Sequence, residues 1–151
     1  MPELRDLYQD VILDHGRRPR NFRLPERPSH QAEGFNPLCG DRIQLSLEVE
    51  DGRIREAGFQ GSGCAISTAS ASMMTEAVKG RSLEDVEALF RRFHALVAGP
   101  EEDHPQDRGA LGKLAVFSGV REYPTRVKCA VLPWHTLRSA LAGAREPVTT
   151  E

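Results

Sequence analysis

At 151 residues, 39% hydrophobic and 28% charged, the chain has the size and apolar content of one domain with its own core. A formal net charge of −2 gives no global attraction to nucleic acid, and no apolar run reaches the length of a membrane span. There is no internal repeat or low-complexity tract, so residues 1–151 read as a single domain, with Ala144 to Glu151 expected as a frayed tail.

Leu4, Leu7, Tyr8, Val11 and Ile12 recur at helical spacing, and Gly16 supplies a stop, which predicts a helix from Pro2 to His15. An irregular arm follows through Pro19 and Phe22. Ile43, Leu45, Leu47 and Val49 alternate strictly with polar residues, the pattern of a half-buried strand. Asp51-Gly52 fits a two-residue type I′ hairpin turn. The return strand carries Ile54, Ala57 and Phe59, whose phase slips by one and points to a bulge near Glu56. A third strand is expected around His30 to Gly34, because a lone hairpin is marginal in water.

After Cys64 the pattern becomes helical, with Ile66, Ala69, Met73 and Ala77 on one stripe and Gly80 at the end. Ser82 is placed to cap the next helix, with Asp85 at the capping-box position and Leu83, Val86, Phe90, Phe93 and Val97 as its apolar face. Gly99 to Asp107 reads as a surface loop, and Leu111 to Val120 carries no firm pattern. Thr125 is placed to cap a last helix bearing Val127, Ala130, Val131, Trp134 and Leu141, which Pro133 either kinks or begins. The sum is an α+β fold, with helices packed on one face of a small antiparallel three-stranded sheet.

Cys39, Cys64 and Cys129 are the only cysteines. Each alone fits a small buried hydrophobe as well as a reactive thiol. Their odd number excludes a complete intramolecular disulfide framework, and nothing before Leu4 reads as a secretory segment, so a reduced, cytoplasmic setting is expected. All three lie at boundaries of predicted elements. A hairpin returns its outer ends to one edge of the sheet, which makes Cys39 and Cys64 neighbours. Asp41 lies two residues after Cys39 and points the same way in extended chain. Three sulfurs and a carboxylate make four ligands, as a tetrahedral zinc site or one edge of an iron–sulfur cluster requires. Spacing alone does not bring Cys129 to the others. Its position in the first turn of a helix beside Arg126 and Lys128 is expected to lower its pKa.

The remaining candidates are plainer. His15, His30, His94, His104 and His135 are scattered, and a surface or helix-end position is expected for each. Arg17, Arg18 and Arg20 either meet a partner or favour the C-terminal end of the first helix. Trp134 is expected in the core, and Ser67, Ser70 and Ser72, with no base at nucleophile spacing, as small packing residues.

In order and context, Asn36-Pro37-Leu38-Cys39-Gly40-Asp41, Gly61-Ser62-Gly63-Cys64-Ala65-Ile66-Ser67 and Val127-Lys128-Cys129-Ala130 resemble the three cysteine motifs of the IscU/NifU-like iron–sulfur cluster assembly scaffold family. The resemblance runs from the N-terminal helix to about Ala142. Asp14-His15 with Pro19-Arg20-Asn21, and the long stretch between Lys79 and Val127, are similar to the SufU branch. Lys128 stands where IscU proteins carry a histidine, and Tyr123 to Lys128 replaces their Leu-Pro-Pro-Val-Lys chaperone-binding motif. Both departures favour the SufU-like role.

The resemblance implies Cys39, Asp41, Cys64 and Cys129 as metal ligands, zinc as the metal with iron or a [2Fe–2S] cluster as the alternative, and Cys39 as persulfide acceptor. The implied partners are a SufS-type cysteine desulfurase and downstream iron–sulfur assembly proteins, and the implied activity is a sulfurtransferase-like relay rather than a stand-alone enzyme. Arg126 is then either the cation that steadies a released thiolate or persulfide, or a solvated charge on the helix's first turn. A cluster-building scaffold and a structural zinc domain without sulfur chemistry remain the other readings.

Overall fold

The computed structural model describes residues 2–99, 111–143 and 147–149, with side chains from residue 10 onward. Its elements run α1 (Pro2–Arg17), β1 (His30–Asn36), β2 (Asp41–Glu50), β3 (Arg53–Ser62), α2 (Ala65–Val78), α3 (Leu83–Ala98), a 3-10 segment (Gly112–Glu122), α4 (Pro124–Ala142) and β4 (Val148–Thr149). The α+β expectation holds, but the sheet has four strands rather than three, in the order β3-β2-β1-β4. β1–β2 and β2–β3 are antiparallel, and β4 pairs parallel to β1 through Gly34 and Phe35. Val148 and Thr149 thus lie in the sheet although they belong to the stretch expected as a tail.

The hairpin is built as the pattern predicts. Asp51 and Gly52 take φ of 54° and 72°, the positive values a type I′ turn needs. Between Glu48 and Val49 the register shifts so that Arg55 is the extra residue, which carries Ile54, Ala57 and Phe59 onto the buried side. Edge strand β3 is covered rather than free. Phe59 N donates to Asn21 O at 3.0 Å, and Ile54 N donates to Arg81 O at 3.0 Å.

The helical layer buries one continuous core with Ile43, Leu45, Leu47, Ile54 and Phe59 of the sheet. Trp134 of α4 is 1% exposed and stacks on Phe93 of α3 at 4.6 Å between ring centroids. Phe117 meets Phe93 edge-on, so the 3-10 segment, which has no clean helical period, is a core element through Leu114, Val116, Phe117 and Val120. α4 crosses β1 at Gly34, where a Cβ would collide with Thr136 and press on Leu132. That close approach brings the start of α4 over the end of the sheet that holds the β1–β2 turn.

Several local expectations give way to packing. α1 continues through Gly16 to Arg17, because Gly16 serves as a contact point: a Cβ there would stand 3.1 Å from Ala65 Cβ. Ser82 caps α3 by accepting from Asp85 N, as expected. Thr125 does not cap α4. Pro124 occupies the first turn, so the boundary falls at Tyr123, and Pro133 lies buried inside the helix. The loop expected from Gly99 to Asp107 lies outside the described residues except for Gly99.

Candidate metal centre

The β1–β2 connection is a four-residue turn between paired Asn36 and Asp41, and Cys39 sits in it. Gly40 closes the turn with φ 71°, a value glycine adopts without steric cost, and its N–H donates to Asn36 O at 2.8 Å. Cys39 is half-buried, and its neighbour Leu38 is 64% exposed. Asp41, the first residue of β2, is fully buried. The pairing of Arg42 with Ser62 brings the end of β3 alongside it, and a Cβ on Gly63 would collide with the Asp41 side chain. Glycine at 63 makes room for the carboxylate.

Cys64 follows as the N-cap of α2, its sulfur accepting the N–H of Ser67 at 3.4 Å and its own N–H donating to Asp41 Oδ1 at 2.8 Å. Its sulfur lies 3.9 Å from Asp41 Oδ2. Cys129 comes from the second turn of α4, fully buried, with its sulfur 3.3 Å from that of Cys39. One ligand atom each from Cys39, Asp41 and Cys129 lies within 4.8 Å of the others. Cys64 joins this group through Asp41. The four sequence candidates therefore come together, from three separate segments of chain.

For comparison, a tetrahedral ion with sulfur at 2.3 Å sets its sulfurs roughly 3.8 Å apart. The Cys39 and Cys129 sulfurs, 3.3 Å apart, stand close to that spacing, and the Cys64 sulfur lies 3.9 Å from Asp41 Oδ2. Three thiols and one carboxylate are a soft, mostly sulfur set that suits zinc or iron.

One electrostatic expectation is reversed. Burial pushes the Cys129 thiol far above its usual range, reinforced by its hydrogen bonds with Cys39 and Asp41. The residue lies too deep, and past the first turn of α4, for the helix terminus to favour its thiolate. Arg126 in that first turn is exposed, yet its guanidinium is held above its ordinary range, first by a hydrogen bond with Cys129 and then by the charges of Cys64 and Cys129.

Asn36 belongs to the cluster although the sequence marked it only as part of a motif. It is fully buried, and its amide lies between Asp41 and Cys129. The Asn-Pro pair at the head of the turn is the signal that could have found it.

The other candidates lie elsewhere. His15 lies in the last turn of α1, a helix-end position as expected, but buried at 5% exposure with Nδ1 2.7 Å from Ser72 Oγ. His94 and His135 pack around Phe90, away from the cysteines, His30 touches Ser29, and His104 is outside the described residues. Ser67, Ser70 and Ser72 are buried as expected, and Ser70 Oγ donates to Ala130 O, joining α2 to α4. Arg20 pairs with Asp14 at 2.7 Å. Among the described residues no helix is long and apolar enough to cross a membrane.

Residues 7–130 match the family model described as the NifU-like N-terminal domain. The zinc-dependent sulfurtransferase SufU of Bacillus subtilis (strain 168) is 40% identical over 136 residues, which is 90% of this chain and 90% of the relative. The iron–sulfur cluster assembly scaffold protein IscU of Streptococcus pyogenes serotype M1 is 38% identical, over 93% of this chain and 86% of its own. Among solved structures, a proposed iron–sulfur cluster assembly scaffold protein for the SUF system from Fervidobacterium islandicum AW-1 superposes with a TM-score of 0.80 at 32% identity, covering 87% of this chain and 94% of that one.

Proposed function

The chain belongs to the NifU-like N-terminal domain family, and from that premise we propose that it is a single-domain, zinc-containing sulfur acceptor. It takes persulfide sulfur from a SufS-type cysteine desulfurase and relays it to downstream iron–sulfur assembly proteins. The carrying observation is the clustering of Cys39, Asp41 and Cys129, with Cys64 alongside, in which Cys39 alone sits on a turn. The match to a relative named a zinc-dependent sulfurtransferase supports the same reading.

Cys39, Asp41, Cys64 and Cys129 would hold the zinc. When bound, zinc keeps the thiols deprotonated and ties the three segments together. Asp41 and Cys129 stand on a strand and a helix and Cys64 caps another helix, whereas the glycine turn lets Cys39 swing outward with little backbone strain. Its thiolate then attacks the terminal sulfur of the desulfurase persulfide. The donor's S–S bond breaks, the desulfurase cysteine leaves as thiolate, and the new S–S bond places the persulfide on Cys39. The proton on the terminal sulfur travels with it, so no outside oxidant or reductant is needed. Arg126 is placed to steady the anion formed on either side of this step. Leu38 and Tyr123, 64% and 58% exposed, offer apolar contacts for the donor on the segments that carry Cys39 and Arg126.

Mixing the chain with a SufS-type desulfurase and cysteine tests the proposal. One added sulfur, mapped by mass to Cys39 and absent from Cys39→Ser, is the expected result. Sulfur on Cys129 overturns the acceptor assignment. No adduct, together with a [2Fe–2S] cluster that transfers to an apoprotein, establishes the scaffold reading instead. No adduct and no cluster leaves a structural zinc domain.

A further inference from the structure

Asn36 is the last residue of β1 and is fully buried. Its Oδ1 accepts the N–H of Leu38 at 3.2 Å, and a backbone N–H only donates, which fixes the orientation of the amide. The two hydrogens on Nδ2 are then free to serve two acceptors. They point to Asp41 Oδ2 at 3.4 Å and to Cys129 Sγ at 3.6 Å. The other carboxylate oxygen, Oδ1, is taken by Cys64 N. One side chain thus touches a ligand on β2 and a ligand on α4 and braces the turn that bears Cys39.

On the reading of the site given above, we propose that Asn36 is a positioning residue that holds Asp41 and Cys129 in their ligand geometry while Cys39 is away from the metal. The chemistry of a neutral amide suits this task. It donates to a carboxylate and a thiolate at once and adds no charge beside them. A carboxylate at the same place would repel both. With Cys39 displaced, Asp41 is held through Cys64 N–H on one side and Asn36 on the other. Cys129 keeps the Asn36 N–H donated to its sulfur. Partners of this kind, one step removed from a metal, typically carry 10–100-fold in affinity.

The test uses Asn36→Asp and Asn36→Ala, each in the parent chain and in the Cys39→Ser background, which mimics the displaced state. Asn36→Asp keeps the shape and the acceptor for Leu38 N–H while losing both donors. Zinc affinity is measured by competition with a chromophoric chelator, the sulfur-to-metal absorption of cobalt-loaded protein is recorded, and circular dichroism verifies the fold. Both variants should bind zinc roughly 10–100-fold more weakly than the parent. The loss should be larger in the Cys39→Ser background, and the cobalt absorption should shift. Affinities within about threefold of the parent, against that usual range, overturn the proposal. So does an Asn36→Asp protein that matches the parent while Asn36→Ala is weak, because the turn contact alone would then explain the effect. Should Asn36→Ala fail to fold, the isosteric Asn36→Asp decides. A parent chain that binds no zinc overturns the reading of the site itself, which separates that failure from failure of the Asn36 assignment.

Discussion

Asp41 Oδ1 accepts the backbone N–H of Cys64 at 2.8 Å, so a carboxylate on the first residue of β2 fixes the residue that caps α2. The bond joins sheet to helix at the point where the cysteines gather. It also places negative charge at a helix N-terminus, where the unpaired N–H groups favour it. Gly63 between them has no side chain to obstruct the approach.

Asp41 variants should separate these duties. In metal-free protein, Asp41→Ala leaves the Cys64 N–H without its acceptor and should cost about 1–3 kcal/mol. Asp41→Asn keeps an acceptor at Oδ1 and should lose less. Both should fall short of the parent in zinc affinity, since neither offers an anionic oxygen. Urea unfolding of the metal-free forms and chelator competition measure the two effects, and equal destabilisation by Ala and Asn would contradict the capping role.

Removal of the metal should lower the melting temperature markedly, because the four donors come from the β1–β2 turn, the start of β2, the start of α2 and α4. Ligand held at about 1,000 times its Kd stabilises a fold by ~4 kcal/mol, and chelation removes that contribution. Cys64→Ser should show a similar loss in the presence of zinc and little further change on chelation. Calorimetry with and without chelator measures both, and an unchanged transition in the two experiments would mean that the core folds independently of the site.

How much of this was legible in the sequence follows from the range of the interactions. The strict alternation from Ile43 to Val49, the Asp51-Gly52 turn and the slipped phase of Ile54 and Ala57 are local signals, and they placed Cys39, Asp41 and Cys64 at one end of the hairpin. Cys129 was different. Its arrival depends on α4 lying against β1 at Gly34, a contact between residues about a hundred apart that no periodicity encodes. The three cysteine motifs linked it to the others only through family resemblance. Thr125 looked like a cap because its hydroxyl could serve as one, but Pro124 starts the helix before it. The helix-end position of His15 was legible, but its burial was not, because its partner Ser72 lies 57 residues away on another helix. The two-residue β4 borrows its order from β1 and carries almost no pattern of its own.

His15 leads to a pH prediction. Burial first, then the charge of Arg20, lowers its pKa below the ordinary 6.5, with Lys113 acting the same way and Glu76 and Asp14 opposing. The folded chain therefore takes up this proton less readily than the unfolded chain. Its contribution to stability is fully present above pH 6.5 and declines as pH falls from there toward the folded value. His135, lowered mainly by burial, acts in the same direction. Unfolding midpoints of zinc-loaded protein should fall between about pH 7.5 and 5.5, and His15→Gln should flatten part of that slope. An identical slope in the variant would assign the effect to other groups.

Gly63→Ala should act on the site more than on the core. A Cβ at this position collides with the Asp41 side chain, so either the carboxylate or the end of β3 must shift. Gly63 is exposed, and relief by movement of the strand end should keep the stability loss within about 1–3 kcal/mol, the usual range for overpacking. Zinc affinity should drop along with it, by chelator competition. Gly34→Ala provides the contrast: it drives α4 from β1 by collision with Thr136 and should destabilise the whole domain in urea unfolding.

Arg126 provides the last prediction. It is exposed on the first turn of α4, and the hydrogen bond with Cys129 and the charges of Cys64 and Cys129 favour its cationic form. An exposed cation of this kind adds little to folding, because water screens it. A role in steadying thiolate or persulfide should therefore appear in rate rather than in stability. Arg126→Ala should slow persulfide formation on Cys39 by about 10-fold or more, the factor that corresponds to ~1.4 kcal/mol of lost transition-state stabilisation. Its melting temperature and zinc content should stay near those of the parent. Arg126→Lys retains the charge without the planar fork and should recover part of the rate. Rapid-quench sampling followed by mass analysis gives the rate, and metal analysis of the same samples gives the zinc content. An Arg126→Ala protein that acquires sulfur at the parental rate would return Arg126 to the status of a solvated surface charge.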